Sequence, residues 1–107
     1  MQSAFGVVAA FRPVVTSVMH DEHVKGSAHY DGRAVDVGAF GDTRVGFNTP
    51  TWNAIMTAIG SRRFEKIGTI ASIVNNPAAQ AWARANGVLL FLDEGSGPHV
   101  HFQVGAS

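Results

Sequence analysis

Cysteine is absent from this chain, which removes at once a disulfide scaffold, a thiolate zinc site and a cysteine nucleophile. Charge is scarce and balanced, with eight Lys and Arg against eight Asp and Glu. No bulk charge is left to attract nucleic acid or an anionic membrane, so any partner must be recognised by a local site. Long apolar runs are missing as well. The apolar start from Phe5 to Phe11 is broken by Arg12 and Pro13, so it is too short to cross a bilayer and no membrane insertion is expected. No basic segment precedes that run, and it does not read as a secretion signal. Internal repeats, low-complexity tracts and charge runs are also lacking. The 107 residues are enough for one core and too few for two, so residues 1–107 read as a single domain, free-standing or cut from a longer chain.

What is present alternates between short strands and helices, an α+β pattern. Val14 to Val18 is β-branched and Ala34 to Val37 alternates, so both read as strands. Thr49-Pro50 is a cap and first-turn signal, and Trp52, Ile55, Met56 and Ile59 follow at helical spacing, which predicts a helix over 50–59 stopped by Gly60. Phe64, Ile67, Ile70, Ala71 and Val74 suggest a further helix, or a short helix with an extended segment, because Gly68 and the β-branched residues weaken the helical pattern. Asn76-Pro77 repeats the cap signal ahead of a helix over 78–86, with Gly87 at its left-handed end. Val88 to Leu92 then reads as a buried strand, 93–97 as a turn and His99 to Val104 as a final strand. The last two strands are expected to pair as an antiparallel hairpin. Trp52 and Trp82 are expected to anchor the core, with an aromatic cleft wall holding a sugar or peptide as the minority alternative.

Chemistry concentrates in two strings, Ser27-Ala28-His29-Tyr30-Asp31-Gly32-Arg33-Ala34-Val35-Asp36-Val37 and Pro98-His99-Val100-His101-Phe102. Side chains alternate along a strand, so His99, His101 and Gln103 share one face and Val100, Phe102 and Val104 the other. The same rule aims Asp36 away from Val35 and Val37, into a cleft with His101. His29, Asp36 and His101 supply the three ligands of a catalytic zinc site whose fourth position holds water. Such an ion lowers the pKa of its water towards ~7 and polarises a carbonyl, which suits amide hydrolysis. The competing reading of the same residues is a hydrogen-bonded polar cluster without metal.

The string Ser27-x-His29-x-x-Gly32-x-Ala34-x-Asp36 followed by His99-x-His101 resembles the zinc metallopeptidases grouped around D-alanyl-D-alanine carboxypeptidases, lysostaphin-type enzymes and the hedgehog domain. His29 to Val37 and His99-Val100-His101 look especially like the hedgehog version. The resemblance implies a small central antiparallel sheet with helices packed on one side, and Zn2+ held by His29, Asp36 and His101. In these families an acidic residue shortly before the last ligand is the general base, which points to Glu94, with Asp93 and His99 as competitors. His23, six positions before His29, falls where a histidine stabilises the oxyanion or donates to the leaving amine. The function implied is a monomeric zinc peptidase cutting a peptide bond of peptidoglycan stem peptides, at the wall or in the periplasm of a target bacterium, as a phage or bacterial domain. The alternative is a catalytically inactive hedgehog-like binding or structural module stabilised by zinc.

Overall fold

Period-two alternation decides which side of the sheet becomes core. The computed structural model describes residues 4–19, 34–95 and 97–105, and these contain a 3-10 helix (Ala4–Phe11) followed by β1 (Pro13–Met19), β2 (Ala34–Phe40) and β3 (Thr43–Arg44). Then come α1 (Thr49–Ser61), β4 (Lys66–Thr69), α2 (Ala71–Val74), α3 (Pro77–Ala85), β5 (Leu89–Leu92) and β6 (Val100–Gln103). One sheet runs in the order β1-β2-β6-β4-β5, with β3 paired to β2. Across it Val35 lies opposite Phe102, Val37 opposite Val100, Ile67 opposite Phe102 and opposite Leu90. These side chains form a single core with Val8 of the 3-10 helix, Ala54, Ile55, Ala58 and Ile59 of α1, Ile73 of α2 and Ala79 and Ala83 of α3. All the helices of the described residues therefore cover the same apolar face, an α+β architecture. Phe64 stacks on both Phe5 and Phe102, with ring centroids 5.5 and 5.2 Å apart, and joins the 3-10 helix to the sheet.

The helix ends follow from local polar chemistry. The side chain of Asn48, one residue before the expected Thr49 cap, accepts from the Thr51 N–H at 3.0 Å. α1 runs past Gly60 to Ser61 and closes on Arg62 in the left-handed conformation (φ 60°), whose N–H bonds the Ile59 carbonyl. For α3, Asn76 Oδ1 accepts from the N–H groups of Ala78 and Ala79, and Gly87 beyond its end takes φ 71°. Among the described residues no helix is long and apolar enough to cross a membrane.

Two expectations about the strands are corrected. The sheet is mixed, because β4 and β5 run parallel while the other pairs are antiparallel. Nor do β5 and β6 form a hairpin, since β4 is inserted between them and pairs with both. The physical reason lies in residues 66–69. Ile67 and Thr69 are both completely buried and β-branched, which suits a strand between two others, and only the four residues of α2 are helical before Asn75. The connection from β4 through α2 and α3 returns the chain parallel to itself, as parallel pairing demands. β5 and β6 therefore lie on opposite sides of β4.

Removing the Asn76 cap orphans two amides at the start of α3. Asn76→Ala is expected to lower the unfolding free energy by about 1 kcal/mol, read as a lower urea midpoint at unchanged slope.

Candidate functional site

The face of the sheet turned away from the core carries a row of residues in register. Asp36 of β2 lies opposite His101 of β6, His101 opposite Gly68 of β4, and Gly68 opposite Phe91 of β5. His101 Nδ1 lies 2.9 Å from Asp36 Oδ1, and the acceptor-only carboxylate requires that nitrogen to carry the proton. Its other nitrogen, Nε2, lies 3.0 Å from Gln103 Oε1. The His101 ring is only 7% exposed and meets the edge of Phe91 with centroids 6.0 Å apart and planes at 69°. Gly68 makes that contact possible. A Cβ there would fall 2.6 Å from Phe91 Cζ and 2.9 Å from Asp93 Cβ, so the ring lies across β4 only because glycine leaves the space.

His99 forms a second pair. Its Nδ1 lies 2.7 Å from the Gly97 carbonyl and its Nε2 3.2 Å from Asp93 Oδ1. Both neighbours are acceptors, and a neutral imidazole has only one N–H to offer. Burial pulls the imidazolium down, but the Gly97 carbonyl, the Asp93 charge and hydrogen bond and the more distant Asp36 charge outweigh it. The pKa of His99 stands above its ordinary 6.5. Thr69 holds this pair in place from below, since its carbonyl accepts the Asp93 N–H at 2.9 Å and its hydroxyl donates to the His99 carbonyl at 3.0 Å. Thr69 and Gly68 are positions that motif reading passed over. The available signal was a glycine and a threonine in adjacent places of one short strand, one for each face.

Of the residues singled out in the sequence, Asp36 and His101 come together, and His99 joins Asp93. Glu94 is engaged elsewhere, with its Oε2 accepting the Ala71 N–H at 2.7 Å and so tying the loop to the first residue of α2. His23 and His29 lie outside the described residues, as do Tyr30 and Arg33.

The expectation of zinc is corrected by this geometry. Among the described residues no group of three or more His, Asp or Glu side chains is placed to hold a metal ion. A ligand imidazole must offer a bare lone pair, whereas both nitrogens of His101 face partners within the fold and so do both nitrogens of His99. Asp36 spends its near oxygen on His101 and not on a shared third point. Among the described residues, those present do not fit the ion. They form the hydrogen-bonded polar cluster that stood as the alternative. No protein-family model, curated protein or solved structure matches the chain.

Two expected outcomes follow from the pairs. Because the folded-state pKa of His99 is raised, its contribution to stability is complete below the unfolded value near 6.5 and is lost as pH rises through the folded value. Urea midpoints measured across that range should fall with rising pH more steeply for the native chain than for His99→Gln; an equal slope in both would contradict the assignment. Gly68→Ala should cost about 1–3 kcal/mol through overpacking and displace the Phe91 ring from His101, visible as loss of ring-current shift on the His101 protons.

Proposed function

We propose that this domain is a hydrolase acting on a peptide bond of peptidoglycan stem peptides, with paired carboxylate and imidazole groups as its acid–base apparatus. The observation that carries the reading is the Asp36–His101 bond at 2.9 Å: residues from the two separated strings meet in register on one sheet face, His101 buried and Asp36 partly exposed. Asp36 orients the ring by accepting from Nδ1; Nε2, which faces the Gln103 side-chain oxygen, serves as the base only when the Gln103 amide turns and that nitrogen carries no proton. A base of this kind contributes roughly 10²–10⁴-fold to proton transfer from an attacking water. The Gly97 carbonyl and Asp93 favour the imidazolium form of His99, which adds a favourable field for a developing oxyanion. The wall substrate, the target-bacterium location and the kinship with the carboxypeptidase and hedgehog folds are supported by the resemblance of the two strings alone.

A second reading is a stem-peptide-binding module without turnover. The full pairing of both imidazoles inside the fold favours it, since a resting catalytic base ordinarily keeps one nitrogen towards solvent.

The two separate cleanly in one assay. Purified native chain incubated with cell walls is expected to release soluble stem-peptide fragments, and Asp36→Asn, which keeps the shape of the pair but removes its charge, is expected to slow release at least tenfold. Sedimentation of the native chain with walls without any fragment release would overturn hydrolysis and favour the binding module.

A further inference from the structure

The outer surface of α1 and α3 carries an aromatic row that the sheet-face chemistry does not use. Phe47 is 63% exposed and Trp82 44% exposed, and Trp52 lies between them, meeting Phe47 edge to face with centroids 6.0 Å apart and planes at 89°. Two adjoining clefts of about 340 and 430 Å³ share Trp52 as a common wall. The second runs along Trp52, Met56 and Gly60, successive positions four apart on one stripe of α1, and spans roughly 12 Å of helix. Trp82 closes it from α3.

The indole of Trp82 is fixed as a platform. Its Nε1–H donates to the Met56 carbonyl at 2.9 Å, and its Cζ2 approaches the place of a Cβ on Gly60 to 3.0 Å. Glycine inside a helix costs roughly 1 kcal/mol relative to alanine, and here it lets the ring lie against α1. Even with that ring seated, nearly half of Trp82 faces solvent.

The chemistry of the clefts selects the occupant. Among the described residues no Asp, Glu, Lys or Arg lines either one, so an acidic peptide, a phosphate polymer or an anionic membrane meets no complementary charge there. Exposed Asn53 and Thr57 interrupt the rings with amide and hydroxyl groups that take no hydrogen-bond partner among the described residues. A second copy of the chain is disfavoured by area. Phe47 and Trp82, about 200 Å² each and 63% and 44% exposed, offer roughly 200 Å² and the partly buried Trp52 adds less than either, against about 800 Å² per partner in a stable dimer. A row of fixed ring faces with neutral hydrogen-bonding groups between them matches a neutral polymer whose units present both CH faces and amide or hydroxyl edges.

We infer that Phe47, Trp52 and Trp82 bind a chain of N-acetylated sugars, the glycan strand of the wall polymer. The identity of the occupant rests on the wall reading above, and its site is separated from Asp36 and His101 by the hydrophobic core. The domain thereby holds the polymer by its sugar backbone on one side and meets its peptide on the other.

The probe is a soluble oligomer of β-linked N-acetylglucosamine, titrated into the full chain while tryptophan fluorescence and backbone amide shifts are followed. A saturable change with a dissociation constant of roughly 1 mM or tighter, with shifts confined to 47–60 and 77–86, is the expected result. Trp82→Ala and, independently, Phe47→Ala should each weaken binding roughly tenfold, while far-ultraviolet circular dichroism shows both variants folded. Phe47 is so exposed that its variant keeps the test valid should Trp82→Ala unfold. Absence of any saturable change, shifts centred on β2 and β6, or self-association that buries the rings and is not competed by the oligomer would each overturn the proposal. Fragment release measured in parallel keeps the two claims apart. Release without sugar binding removes the glycan site and leaves the hydrolase, and sugar binding without release does the reverse.

Discussion

The register between β2 and β6 is the constraint on which the rest depends. With Val35 opposite Phe102 and Val37 opposite Val100, the apolar side chains of both strands enter the core together. The same alignment leaves Asp36 facing His101 on the other side. A slip of one residue would turn either Asp36 into the core and expose Val35 and Val37, or His101 into the core and expose Val100 and Phe102, so packing and polar pairing enforce one another. The site is not an addition to the sheet; it is the outward half of the alternation that builds it.

That alternation was open to reading in the sequence because it is local. Val100 and Phe102 against His101 and Gln103, the Asn76-Pro77 cap, Gly87 and the helical spacing of Ile55 and Ile59 all express short-range rules, and each has its counterpart in the structure. The insertion of β4 between β5 and β6 is a different matter. Residues 66–69 carry no period long enough to separate a four-residue strand from a helical turn, and which strand they join depends on contacts more than thirty positions away. The parallel pairing and the loss of the hairpin both follow from that one long-range choice. Trp52 packs against the core as its helical spacing predicts, whereas Trp82 is 44% exposed, because helical spacing does not show how much of a ring the neighbouring helix covers.

The polar site shows the same division. Strand geometry was sufficient to bring Asp36 and His101 to one face. It could not decide whether they would point at a common third centre or at each other, because only a small difference in ring orientation separates the two outcomes. Gln103 two residues on, which shares the face of His101, and the ring of Phe91 admitted by Gly68 set that orientation. Neither belongs to a recognisable motif. Glu94 illustrates how a carboxylate near a candidate site is claimed by backbone instead, since the bare amide at the start of α2 offers it a short bond.

The separation of Asp36 and His101 along the chain, 65 positions, also orders the assembly of the domain. The segment from β4 to β5 holds its two strands and the helices between them within a short span of sequence, so its contacts form at little loop-closure cost. Joining β2 to β6 requires closing nearly two thirds of the molecule, whereas β1 pairs with β2 across fewer than thirty residues. Non-local pairings of this kind are the slow step of folding. The polar pair sits at that long-range junction, so it is completed only when the β1–β2 and β4–β5 portions of the sheet are brought together through β6.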